Sequence, residues 1–173
     1  MTVVTYGGVT IGLLVLAWHI ADWWPGLKSL RSKPAQHAGA LLPFLLAWSY
    51  GVLVTLGIGG LIGWAARTAL WISNWLGDVA LVWGVGGQAG QSAGRVEYLP
   101  LTQTGGGIVL ILTAVMIVLT RKTRYGSDLK RGVWCGLCLG TSAGIAGFAA
   151  APIAVAANWL GDSLYGVVGG VAA

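Results

Sequence analysis

"TALWISNWLGDVALVWGVGG", Thr68 to Gly87, is long and apolar enough to cross a membrane. Whether it does so decides the topology of everything around it. Eight of the ten Lys and Arg residues fall in two short stretches, "GLKSLRSKPAQ" (Lys28, Arg31, Lys33) and "RKTRYGSDLKR" (Arg121, Lys122, Arg124, Lys130, Arg131). A crossing at Thr68–Gly87 would put these stretches on opposite faces, against the excess of positive charge that cytoplasmic loops carry. If the segment lies at the surface instead, both basic loops share the cytoplasmic side and both termini lie outside.

The membrane itself follows from composition. Hydrophobic residues make up 56% of the 173-residue chain and charged residues only 9%. A soluble domain carries about a quarter charged, so this chain is short of the charge needed to cover a surface in water. The sequence predicts an all-α integral membrane protein with four transmembrane helices, over about 3–24, 38–64, 101–120 and 132–157. The N-terminal run has no basic segment before it and no small-residue cleavage site, so it reads as a retained span. The net charge of +5 is concentrated in the two loops between spans. That placement fits anionic lipid headgroups rather than nucleic acid.

The pentapeptide NWLGD occurs twice, at Asn74–Asp78 and Asn158–Asp162. Each copy comes after a span, a basic loop and a second span, and each precedes a Gly-Gly pair. The chain therefore divides into two parallel tandem repeats, residues 1–87 and 105–173, joined by a Gly-rich outer linker over 88–104. Each repeat ends in an interfacial helix, over about 68–87 and about 158–170, because Trp prefers the headgroup level. In the first, Trp71, Val79, Val82 and Trp83 form an apolar side, and Arg67, Asn74 and Asp78 a polar side turned from it.

Three sets of residues stand out as sites. Asn74, Asp78, Asn158 and Asp162 form a symmetric candidate ion or partner site, although an interfacial carboxylate that faces water or caps a helix needs no such role. Gly59 and Gly63, and Gly136, Gly140 and Gly144, repeat at the four-residue spacing that lets membrane helices approach closely. That contact is either internal or with another subunit, and the extent of lipid-facing surface favours self-association. The basic residues of the two loops are candidate headgroup contacts.

Other motifs carry less. His19 and Asp22 stand three apart near the end of the first span, where a structural hydrogen bond is the expected use and a proton relay the alternative. Cys135 and Cys138 form Cys-x-x-Cys on an apolar helix, with neither the second Cys pair nor the strand-to-helix setting of a metal or redox motif. No nucleophile and base pair is spaced for catalysis, so no cofactor, metal or enzymatic activity is expected. Two apolar helices around a short basic loop, glycine-rich and with outer termini, resemble in architecture a conjugative pilin drawn twice.

The function expected is a non-enzymatic polytopic membrane protein. It would self-associate or serve as a structural or accessory subunit of a larger cell-membrane assembly, such as a pore, a secretion or conjugation apparatus or a respiratory complex. The alternatives are a small ion channel or transporter using Asp78 and Asp162, and a holin-like pore former.

Overall fold

The computed structural model describes residues 3–24, 34–57, 59–93, 101–142 and 148–169, with the side chains of 34–38 excepted. Among the described residues there are six helices and no strand: α1 (Tyr6–Trp23), α2 (Pro34–Leu56), α3 (Gly60–Val85), α4 (Gln103–Lys122), α5 (Gly126–Leu139) and α6 (Ala150–Gly169). Two of them are long and apolar enough to cross a membrane, α2 through Gly39–Leu56 and α4 through Gln103–Lys122. The expected four crossings are thus matched by two helices of that kind.

Helix boundaries depart from the expected ones where glycines fall. The apolar run over 38–64 is interrupted. Gly57 ends α2, Gly59 is extended, and Gly60 takes the left-handed conformation, φ +73°, that only glycine enters freely. From there a single helix of 26 residues, Gly60–Val85, replaces the expected span end and separate helix from about 68. The run over 132–157 is interrupted as well. α5 begins earlier, at Gly126 inside the basic stretch, and stops at Leu139, where the Ser142 N–H and hydroxyl both bond to the Leu139 carbonyl. Hydropathy counts these small residues as neutral and so misses the turns.

α2 and α5 form the centre of the molecule. Phe44 and Ala47 lie against Gly132, Trp48 and Gly51 against Gly136, and Val52 against Gly140. Both numbers rise together, so the two helices run parallel. At the crossing, Gly51 and Gly136 meet backbone to backbone, and a Cβ on Gly136 would overlap the Trp48 carbonyl. α1 runs antiparallel to α5, with Gly12 against Cys138 and His19 near Asp128. A three-residue turn joins α4 to α5, so these two also run antiparallel.

All the elements can therefore be placed relative to two ends. At one end lie the C-termini of α1 and α4 and the N-termini of α2 and α5, with Arg121, Lys122, Arg124, Lys130 and Arg131 among them. At the other lie the N-termini of α1 and α4. α3 starts four residues after α2 ends there, and its residues 74–78 rest on the N-terminus of α1 at that same end. The stretch from Gly60 to Asn74, about 21 Å of helix, crosses the end of the bundle instead of returning through it.

Candidate functional site

The two NWLGD copies make the same contact in both halves. In the first, Thr5 caps α1, its hydroxyl accepting the Gly8 N–H at 3.2 Å. The Thr5 N–H is in turn donated to Asn74 Oδ1 at 3.1 Å, and the Asn74 amide donates to the Val3 carbonyl at 2.9 Å. In the second, Thr102 caps α4 with the Gly105 N–H at 3.1 Å, and the Thr102 N–H is donated to Asn158 Oδ1 at 3.0 Å. One Asn thus accepts the backbone N–H that the N-cap residue of another helix leaves free.

Glycines make room for that contact. A Cβ on Gly8 would overlap Asn74 Oδ1, and a Cβ on Gly105 would overlap Asn158 Oδ1. The Gly of each pentapeptide touches backbone: Gly77 lies against Gly7, and Gly161 against Thr104 and Gly105. The pattern is a Thr-x-x-Gly helix start clasped by an Asn-x-x-Gly-Asp helix. Repetition in the sequence marks the second part and not the first. Thr5 and Thr102 stand 69 and 56 residues from their Asn partners, and a short Thr-x-x-Gly has no signal of its own.

The carboxylates differ in use. Asp78 Oδ2 accepts the Gly90 N–H at 3.1 Å and holds the Gly-rich segment after α3. That segment turns at Gly86 and Gly90, both left-handed, and pairs with the N-terminus through Tyr6 N–H to Gln91 O at 2.9 Å and Ala93 N–H to Val4 O at 3.0 Å. Asp162 instead accepts the Thr104 hydroxyl at 2.6 Å. Each carboxylate serves its own helix pair. On α3, Ser73 and Asn74 are buried, while Trp64, Trp71, Trp75 and Trp83 are exposed.

Beneath the first clasp runs a polar seam between α1 and α5. The buried Ser73 hydroxyl donates to the Ala69 carbonyl at 2.8 Å, and Cys135 donates to the Gly12 carbonyl at 3.5 Å. At the basic end His19, 5% exposed, stacks on Phe44 with ring centroids 4.0 Å apart and planes 9° from parallel. Its Nδ1 stands 3.8 Å from Asp128 Oδ1, and neither ring nitrogen has a hydrogen-bond partner among the described residues. Asp22 pairs with Arg131, whose guanidinium also lies over Trp18 at 5.2 Å. The expected hydrogen bond of His19 at the span boundary is thus replaced by a ring stack and a nearby carboxylate on another helix.

The remaining predicted residues are dispersed. Gly136 and Gly140 are covered by α2 of the same chain, Gly63 is buried and Gly59 is exposed with open space where a side chain would stand. That face of α5 is filled from within the chain. Gly144, Lys28, Arg31 and Lys33 lie outside the described residues. Arg121, Lys122 and Lys130 are exposed, and Arg124 lies over Tyr125 at 4.8 Å. Among the described residues no group of three or more His, Cys, Asp or Glu side chains is placed to hold a metal ion. No protein-family model, curated protein or solved structure matches this chain.

Proposed function

We propose that the chain is a non-enzymatic integral membrane protein and a structural or accessory subunit of a membrane assembly. In this reading α1, α2, α4 and α5 cross the bilayer, the basic end faces the cytoplasm, and α3 and α6 lie across the opposite end at headgroup level. One observation carries it, the many large apolar side chains left exposed on the outside of the helices. The interior holds large apolar residues such as Phe44, Leu53, Leu70 and Val109 beside small and polar ones such as Gly12, Ala47, Ser73 and Asn74, while Leu14, Leu46, Trp64, Leu110, Phe148 and Val168 point outward. Exposed apolar side chains are spread over the helices rather than gathered in one patch, which suits lipid on every side better than a single protein partner.

α5 has only 14 residues, about 21 Å, against a hydrocarbon core of about 30 Å. It is the helix packed along both α1 and α2, so much of its length meets protein and not lipid. Asp162 is engaged in a clasp and Asp78 holds the segment after α3, which favours the structural role over an ion site. With the Gly136 face covered, self-association or docking in a larger assembly rests on the outward aromatic surfaces of α3 and α6.

The protein is expected to resist extraction by alkaline carbonate and to dissolve in detergent. Cysteines introduced at Arg124 and Gln88, in a chain whose own two cysteines are buried, are expected to take an impermeant maleimide from opposite sides of the membrane. Release by carbonate, or labelling from one side only, overturns the topology. A detergent particle with the mass of a single chain overturns the subunit role and leaves the topology standing.

A further inference from the structure

We propose that the basic end of the molecule is a binding surface for anionic lipid headgroups, formed by Arg121, Lys122, Arg124 and Lys130 and not by Arg131. This rests on the membrane reading above and deepens it by naming the lipid class and the side chains that select it.

Charge sets the sign of the partner. Among the described residues this end carries Arg121, Lys122, Arg124, Lys130 and Arg131, against the two carboxylates of Asp22 and Asp128. The connection from α1 to α2, outside the described residues, adds Lys28, Arg31 and Lys33 by sequence and no acidic residue. Of the other acidic residues, Asp78 and Asp162 belong to the opposite end and Glu97 lies outside the described residues. Basic side chains therefore outnumber acidic ones at this end however that connection is arranged.

The structure divides the cations by what they already touch. Arg131 is ion-paired with Asp22 and lies over the Trp18 ring at 5.2 Å, so its charge is spent within the molecule. Arg121, Lys122, Arg124 and Lys130 are exposed, and none has an ion pair among the described residues. Arg124 donates to the Tyr125 hydroxyl at 2.6 Å and lies over that ring, contacts that leave its charge uncompensated.

Their setting selects a lipid over a soluble polyanion. Arg121 and Lys122 close α4 directly after the exposed Ile117, Val118 and Leu119, and Trp18 and Trp24 are exposed at the same end of α1. A phospholipid satisfies both features at once. Its acyl chains run along the apolar side of α4, while its phosphate accepts hydrogen bonds from cations whose long stems carry the charge to headgroup level. A soluble polyphosphate would use the charges and leave the apolar rim wet.

The test places the full chain in nanodiscs of phosphatidylcholine with a minor share of phosphatidylglycerol, extracts it in detergent and counts the retained lipids by native mass spectrometry. One cation near an anionic surface contributes about 1 kcal/mol, which is about fivefold in association. The native chain is accordingly expected to retain phosphatidylglycerol about fivefold above its share. Arg121→Gln, Lys122→Gln, Arg124→Gln and Lys130→Gln combined are expected to bring the enrichment below about twofold, and Arg131→Gln to leave it as in the native chain. Equal retention of the two lipids overturns the proposal, as does an enrichment that survives the four substitutions or falls as far with Arg131→Gln. Binding of inorganic tripolyphosphate through the same four cations, without lipid enrichment, assigns the surface to a soluble polyanion and overturns the lipid. Should the combined variant fail to fold, salt provides the second measurement. Enrichment in the native chain is expected to fall as salt screens the headgroups, and an enrichment indifferent to salt overturns the proposal. A chain that never enters the nanodiscs overturns the membrane reading and the proposal together, whereas one that enters and shows no enrichment leaves that reading standing.

Discussion

The two halves share a set of contacts and differ in what fills them. Gly12, His19, Cys135, Cys138 and Ser73 in the first seam correspond to Val109, Met116, Tyr50, Leu53 and Ala157 in the second, and every one of these is buried. The clasps fix three of these pairs, with Thr5 matching Thr102 and Asn74 matching Asn158, and the meeting of Gly51 with Gly136 fixes the two on α2 and α5. One seam is polar and holds a histidine unpartnered among the described residues. The other is apolar apart from the Tyr50 hydroxyl, which donates to Thr113 at 2.8 Å. Equivalent backbone positions thus tolerate either chemistry, and the contacts the halves hold in common are the ones that define the packing.

The largest effects are expected where both halves use glycine against backbone. A Cβ on Gly77 would overlap the Gly7 carbonyl, whereas on Gly161 it would stand 2.5–2.7 Å from Thr104 and Gly105 backbone atoms. Backbone cannot rotate aside, so Gly77→Ala is expected to cost about 3 kcal/mol and Gly161→Ala about 2 kcal/mol. Unfolding in detergent micelles measures both, and a negligible loss at either position breaks the equivalence of the clasps.

Next come the asparagines. Asn74 is buried and makes two hydrogen bonds across the clasp, while Asn158 is only half-buried. Asn74→Leu is expected to lose about 2 kcal/mol and Asn158→Leu about 1 kcal/mol, with the second loss reduced when combined with Thr102→Val in a double-mutant cycle. Equal losses would show that burial does not separate the two.

His19→Met gives the first seam the side chain found in the second. Because the ring has no hydrogen-bond partner among the described residues, the substitution is expected to be neutral or to stabilise by up to about 1 kcal/mol near neutral pH. A large destabilisation would mean that the histidine has a partner in its neutral form. Smallest is Gly84→Ala, on an exposed turn of α3 with open space around it, expected to stabilise by about 0.5 kcal/mol through helix propensity alone.

The repeated pentapeptide, the clustering of the basic residues and the helical character are legible in the sequence because each is a local pattern. The clasp is half legible. Its Asn and Gly stand together in NWLGD, but Thr5 and Thr102 reach them only through tertiary packing. Which side of α3 packs inward is not legible either, since α3 buries Ser73 and Asn74 and exposes its tryptophans only because Asn74 reaches the helix start at Thr5. The expected spans run through the breaks at Gly57–Gly60 and Gly140–Ser142, where hydropathy is silent about turns. Asp128 is hidden in a run of basic residues that reads as loop, although it is in the first turn of α5.

Gly51 and Gly136 meet where the parallel α2 and α5 cross, each on the corresponding position of its own half. A chain of half this length, paired with its own copy, would place one glycine against its twin at that crossing. Every substitution in such a pair enters twice, so a buried histidine in one seam would bring a second in the other. Joining the halves in one chain releases that constraint. A single imidazole, a single dithiol and a single Asp128 then become possible, on a framework whose symmetric contacts need not change.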